Sequence, residues 1–194
     1  KELSAALEES ERLRTRYEEM SVIDPLTKLY NRRYFFSEVT AGLARAKRYS
    51  HSYSLMLMDL DFFKQVNDCF GHECGDKVLK DVSEILSRFT REGDTLARYG
   101  GEEFVMALPE TDSEGSFILA ERIRKTVAEK EWYCGDDEIK MTISIGLASL
   151  AEPDDDNQDA NIQIADMLRE ADRALYYAKQ NGRNNVKTFA EIPR

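Results

Sequence analysis

The chain has no apolar run near the roughly 20 residues that a membrane-crossing helix needs, and no secretory leader pattern opens it. The expected location is therefore the cytoplasm, although the parent protein could be membrane-anchored. Cysteine is scarce: Cys69, Cys74 and Cys134 are an odd number with no CxxC pair, which suggests free thiols in a reducing compartment. Cys69-x-x-His72-x-Cys74 lacks an evident fourth ligand and matches no common zinc spacing. Positive charge is short: 27 bases against 37 acids leave a net charge of −10. That deficit argues against binding a nucleic-acid backbone, which needs a basic surface. It leaves room for a nucleotide held through a metal. No internal repeat or low-complexity segment is present. The first residue is Lys1 rather than Met, so the chain is expected to be a piece of a longer protein.

What remains is a length of 194 residues, suited to one domain, with 42% hydrophobic residues to build a core. Residues 1–20 are rich in Glu, Leu, Arg and Ala without Gly or Pro, and read as a helix. Its mixed apolar seam fits an amphipathic lead-in helix or a short signalling coiled coil. The domain proper is expected over 21–194. Asn31 is a good N-cap for a helix burying Phe35, Val39, Leu43 and Ala46. Tyr53–Leu60 is nearly continuously apolar and reads as a central strand covered on both faces. It runs into Asp59-Leu60-Asp61, and a carboxylate at the carboxyl end of such a strand is where open α/β sheets place ligand chemistry.

Further helices are read after the Gly71–Asp76 loop (burying Val78, Leu79, Val82, Ile85 and Leu86), after Asp112 or Ser113, and before Gly182. Met141–Leu147 alternates and predicts a strand with one wetter face. Glu152–Asp159 reads as an acidic surface loop and Asn185–Phe189 as a last strand. The fold class is α/β: a single domain with a mixed, mainly antiparallel central sheet flanked by helices.

The stretch Arg98-Tyr99-Gly100-Gly101-Glu102-Glu103-Phe104 sits between two apolar runs, Thr95–Tyr99 and Phe104–Leu108. It predicts a hairpin in which Gly-Gly supplies positive φ angles. Alternation sends Glu102 and Glu103 to opposite faces. If the hairpin neighbours the central strand, Asp59 and Glu102 converge. Two carboxylates about 4 Å apart repel by about 4 kcal/mol at an effective dielectric near 20. A hard cation such as Mg²⁺ removes that penalty and takes substrate phosphate oxygens as further ligands. Carboxylates, Mg²⁺ and a triphosphate together point to nucleotidyl transfer.

Gly100-Gly101-Glu102-Glu103-Phe104 resembles the GGDEF (or GGEEF) signature of diguanylate cyclases. Asp24-Pro25-Leu26-Thr27-Lys28-Leu29-Tyr30-Asn31-Arg32-Arg33, Asp59-Leu60-Asp61-Phe62-Phe63-Lys64 and Tyr177-Ala178-Lys179-Gln180-Asn181-Gly182-Arg183-Asn184 resemble further motifs of that family, in its order. Lys28 stands where the family usually has Gly, and would be strained if the backbone there has positive φ.

The resemblance implies a nucleotidyl-cyclase or palm-like fold. It also implies condensation of two GTP into cyclic di-GMP, with loss of two pyrophosphates, by a homodimer whose subunits face each other. It implies that Asp59, the Leu60 carbonyl, Glu102 and Glu103 hold Mg²⁺ or Mn²⁺, with Glu102 a candidate to activate the attacking hydroxyl. Phe62, Phe63 and Lys64 would meet phosphates; Lys179 and Arg183 would hold the terminal ones; Asn67 and Asp76 would contact guanine, with Leu26 lining the base pocket.

Arg91 and Asp94 match the family's Arg-x-x-Asp product-inhibition site, joined by Arg122 on the following helix. An upstream sensor is implied outside this chain; no nucleic-acid or membrane contact is. The alternative is a catalytically weak domain that binds GTP or cyclic di-GMP without chemistry. A GTP–ATP condensing relative would need a change at Asp76, which is intact, and a purely structural dimerisation domain leaves the acids unexplained.

Overall fold

The computed structural model describes residues 22–150 and 160–192. The expected lead-in helix over 1–20 and the acidic loop Glu152–Asp159 lie outside these. Nine residues, Tyr53–Asp61 (β2), form the central strand and are buried along their whole length. This is what an uninterrupted apolar run demands of a strand covered on both faces. The antiparallel neighbours of β2 are Glu103–Pro109 (β4) and Thr142–Ser149 (β7). Thr95–Gly100 (β3) pairs with β4, the two-residue β1 (Tyr30–Asn31) lies parallel to β3, and Val186–Thr188 (β8) lies parallel to β7. The sheet order is β1-β3-β4-β2-β7-β8, mixed and mainly antiparallel as the sequence suggested.

Period-2 alternation sorts the core into two layers. Met56, Met58 and Leu60 of β2 pack with Phe104 and Met106 under α3 (His72–Phe89) and α4 (Ser113–Glu129). Leu55 and Leu57 pack with Val105 and Ala107 under α1 (Arg32–Tyr49) and α5 (Ala160–Gln180). A short α2 (Phe63–Phe70) bridges the end of β2 to α3. Asn31 caps α1, its Oδ1 accepting from the Tyr34 N–H at 2.9 Å, and Asp112 caps α4 through the Gly115 N–H at 2.8 Å. Gly182, at φ 98°, follows the end of α5.

Several expectations change. Gly100 and Gly101 do not have positive φ, so the signature turn is not of the tight mirror-image type. Gly100 instead leaves room: a Cβ there would lie 3.2 Å from Glu103 Oε2. Lys28 does take the left-handed conformation, at φ 61°. β7 has no wet face, because its small residues let α5 approach the sheet; a Cβ on Gly146 would sit 2.1 Å from the Ala171 carbonyl oxygen and 2.3 Å from Leu175 N. Trp132 closes the helix before it, its indole N–H donating to the Val127 carbonyl at 3.0 Å. It also opens a small hairpin, Trp132–Cys134 (β5) with Asp137–Ile139 (β6), that the sequence reading lacks. Cys74 and Cys134 are not separate thiols. They form a disulfide with Cα atoms 5.6 Å apart, a distance suited to a bridge, and Cys69 alone is free. Sixty residues of sequence separation hid this pair. No helix among the described residues is long and apolar enough to cross a membrane.

The closeness of α5 to β7 gives a test. Gly146→Ala should destabilise the domain by about 3 kcal/mol or more, because the obstructing atoms are backbone and cannot swing aside. Gly101→Ala, whose Cβ would meet nothing within 4 Å, should stay within about 1 kcal/mol of the parent in urea denaturation. Equal effects would contradict the packing described.

Candidate functional site

Asp59 and Asp61 lie near the end of β2 on the same side as Leu55 and Leu57, facing α5. Both carboxylates are nearly inaccessible, and a buried charge must be neutralised or hydrogen-bonded. The two solve this differently. Asp61 accepts from Thr142 Oγ1 and Ser144 Oγ, each at 2.7 Å, and from the Asn184 N–H at 3.0 Å. Asp59 instead takes the Lys179 ammonium from the last turn of α5 at 2.7 Å. Burial pushes the Asp59 carboxyl up to about 6. Lys179 opposes that rise, while the charges of Glu102 and Glu103 add to it.

The register decides which acid stands beside Asp59. Its cross-strand partner is Glu103, on the same face, rather than Glu102. Glu102 lies in the turn, where its backbone carbonyl accepts from the Leu60 N–H at 3.4 Å. The turn is clamped from beneath by Arg98, whose Nε and Nη2 donate to the Gly101 carbonyl at 3.0 and 2.8 Å. Arg98 Nη1 reaches both oxygens of Asp24 at 3.3 Å. Burial raises the Asp24 carboxyl, but hydrogen bonds from Thr27 and the Arg98 guanidinium outweigh it and hold the group below its usual range. The Asp24–Thr27 segment and the glycine turn are thus one unit.

At the other wall, Phe62 takes a left-handed conformation (φ 59°) that starts α2 and leaves its ring 53% exposed. The Arg183 guanidinium lies over that ring, 4.5 Å from its centroid. Phe63 is buried and Lys64 is exposed. Asn67 lies against Gly75: a Cβ on Gly75 would fall 2.0 Å from Asn67 Oδ1. Asp76, the next residue, is exposed, and Leu26 packs half-buried against the core. Gly75, Asp61 and Arg98 were not singled out from the sequence. A glycine directly before Asp76 and the second acid of Asp59-Leu60-Asp61 were the signals available.

Arg91 and Asp94 pair elsewhere, with Arg91 Nε 3.1 Å from Asp94 Oδ1 and Arg91 Nη2 donating to the Pro109 carbonyl and Thr111 Oγ1 at 2.6 and 2.7 Å. Arg122 stacks over Phe89 at 5.4 Å.

Among the described residues no three acids, histidines or cysteines stand close enough together to hold one metal ion. The donor set at the end of β2 is nonetheless all oxygen, the chemistry of a hard cation, and a cation (the Lys179 ammonium) already sits on Asp59. Lys179 in contact with Asp59, and Arg183 next to the Asn184 that binds Asp61, set basic groups beside the acids, a combination able to bind a hard cation and phosphate groups together.

Comparison with known proteins gives the family. The family model described as "Diguanylate cyclase, GGDEF domain" matches residues 21–185, and the chain belongs to that family. It is 40% identical to diguanylate cyclase A of Treponema denticola over 171 residues, and 39% identical to the response regulator PleD of Caulobacter vibrioides over 170 residues. Each alignment takes in 87% of this chain but only 44% and 36% of those proteins, so the chain spans less than half of their length. Among solved structures, the GGDEF domain of DgcB from Caulobacter crescentus in complex with c-di-GMP aligns with a TM-score of 0.80 at 30% identity, covering 88% of this chain and 97% of that one. The active GGEEF domain of a diguanylate cyclase from Vibrio cholerae aligns with a TM-score of 0.75 at 36% identity, covering 84% and 98%.

The Arg98 clamp generates a prediction. Arg98→Ala should cost about 2 kcal/mol in urea denaturation, since it removes charge-assisted bonds at a half-buried pair. Arg98→Lys, which keeps the charge but not the fork, should recover only part of this. A neutral Arg98→Ala variant would mean that the turn is held without it.

Proposed function

We propose that this domain is a diguanylate cyclase, joining two GTP into cyclic di-GMP with release of two pyrophosphates. The observation that carries the reading is the Asp59–Lys179 ion pair at the end of β2, which unites the strand's acids with the basic ending of α5. Each domain holds one GTP, and two subunits face each other. The 3′-oxygen of one nucleotide attacks the α-phosphorus of the other, the bond to pyrophosphate breaks, and the 3′-hydroxyl proton passes to a base. Repeating the step in the other direction closes the ring. A monomer binds nucleotide and does not turn over.

In this reading Glu102, at the mouth of the turn, takes the proton. Asp59, Glu102, Glu103 and the Leu60 carbonyl hold Mg²⁺ or Mn²⁺, which supplies charge neutralisation at the phosphates. Lys179 leaves Asp59 for the terminal phosphates, where Arg183 joins it, and the backbone around Phe62 and Phe63 with Lys64 lines the phosphate path. Asn67 and Asp76 read guanine, whose adjacent N1–H and N2–H donors suit a carboxylate, with Leu26 against the base. Residues 1–20 carry the signal from an upstream domain. Support comes also from the solved relative whose complex contains c-di-GMP.

Arg91, Asp94 and Arg122 form a separate site for the product, where guanidinium forks suit phosphate and stack on guanine. Arg91 is already shaped toward Asp94, and Arg122 lies on α4 nearby in sequence to none of the catalytic acids.

Incubation with GTP and Mg²⁺, followed by chromatography, should yield pyrophosphate and cyclic di-GMP. Glu102→Ala should abolish both, lowering turnover by at least about a thousandfold while circular dichroism is unchanged. Full activity in folded Glu102→Ala protein would refute the assignment of Glu102. Binding of GTP without any product from the dimeric parent would favour the binding-module alternative.

Added cyclic di-GMP should slow the parent, and Arg91→Ala should raise its half-inhibitory concentration at least about tenfold, the effect of losing a charge-assisted phosphate contact. Equal inhibition of the two proteins would move the product site elsewhere.

A further inference from the structure

The backbone after α5 is unusual. Gly182, Arg183 and Asn184 have φ of 98°, 58° and 45°, so two successive non-glycine residues are left-handed. Such residues persist only where their surroundings over-determine them. The surroundings here are specific. The Asn184 N–H donates to Asp61 Oδ2 at 3.0 Å, and Asp61 is itself fixed by two hydroxyls from β7. The Asn184 side chain is held from the opposite side, its Oδ1 accepting from Arg124 Nη1 of α4 at 2.9 Å. Arg124 is in turn locked by a forked pair with Glu121, at 2.8 and 3.0 Å. The Arg124 side chain is 17% exposed, so this fork is shielded from solvent competition. The Arg183 backbone is held as well, its N–H donating to the Ala178 carbonyl at 3.1 Å and its carbonyl accepting from Asn185 Nδ2 at 2.8 Å, and its guanidinium rests over the Phe62 ring.

We propose that Asp61, Asn184 and Arg124 are positioning residues that hold Arg183 aimed at the terminal phosphates, so that preference for a triphosphate depends on α4 as well as on Arg183. This rests on the reading above, in which Arg183 grips those phosphates. Arg124 contacts no nucleotide in this account. It acts through Asn184, whose side chain it holds while Asp61 holds the Asn184 N–H.

The test is calorimetric titration of 3′-deoxy-GTP and 3′-deoxy-GMP with Mg²⁺, ligands that lack the attacking hydroxyl. The parent should prefer the triphosphate, and Arg183→Ala should remove most of that preference. Arg124→Ala and Asn184→Gly should each cut the preference about tenfold, the effect of losing one positioning hydrogen bond, and leave the monophosphate affinity unchanged. Asn184→Gly keeps the backbone N–H and relieves the φ strain, so it separates the lost side-chain bond from any folding defect. Asn184→Asp retains an acceptor for Arg124 and should restore the preference. Equal weakening of both nucleotides, or an unchanged preference in Arg124→Ala and Asn184→Gly, would overturn the positioning role. A parent without triphosphate preference, unaffected by Arg183→Ala, would instead overturn the phosphate role of Arg183 beneath it.

Discussion

Two carboxylates two residues apart on a fully buried strand set the terms for the rest of the molecule. Asp59 and Asp61 face α5, away from water, and neither can stay ionised there without compensation. Asp61 is compensated by three fixed donors and binds the loop after α5 to the sheet. Asp59 is compensated by one lysine on a flexible stem, with Glu102 and Glu103 working against it. The first arrangement is permanent and the second exchangeable. A pair of buried acids thus differs through the kind of partner each is given: fixed hydrogen-bond donors for Asp61, a single ammonium for Asp59.

The site depends on close approaches that only small residues permit. Gly146 lets α5 settle onto β7, which brings Lys179 to Asp59. Gly75 leaves space for the Asn67 carboxamide, and Gly100 for the Glu103 carboxylate. Arg98 adds an electrostatic clamp between the glycine turn and Asp24. At these three positions glycine serves contact distance, whereas Gly71, Gly93, Gly135 and Gly182 take positive φ, as do the non-glycine residues Lys28, Ser50, Phe62, Glu110, Arg183 and Asn184. Non-glycine residues in that region mark places where packing and hydrogen bonds dictate the backbone.

Much of this was legible in the chain. The apolar run Tyr53–Leu60 identified the central strand to within a residue, the apolar spacing identified the helices, Asn31 announced its cap, and of Asp112 and Ser113 it is Asp112 that caps. The hairpin strands were legible to within a residue or two. Its register was not, because Gly-Gly hairpins admit several turn geometries and a one-residue slip exchanges Glu102 for Glu103 beside Asp59. The buried small face of β7 read as a wet one, since Thr142, Ser144 and Gly146 look alike whether they meet water or a helix. The Cys74–Cys134 bridge joins elements distant in sequence, and the hairpin carrying Cys134 is too short to leave a periodic signal. Of the site, the acids, with Asp61 the second of Asp59-Leu60-Asp61, and the basic ending were visible as motifs; Arg98 and Arg124, which act on other residues, were visible only in three dimensions.

We propose that Asp59 is a buried carboxylate that exchanges Lys179 for a divalent cation. Carbon-13 NMR of the Asp59 side-chain carboxyl tests it directly, by pH titration of the metal-free protein and of the protein with Mg²⁺ and 3′-deoxy-GTP. The midpoint should lie at about 6 without metal, raised chiefly by burial. With Mg²⁺ and nucleotide the midpoint should fall below the ordinary carboxylate range, because a divalent charge at bonding distance favours the ionised form. An ordinary midpoint in the metal-free protein, or a raised midpoint that Mg²⁺ and nucleotide leave in place, would contradict it.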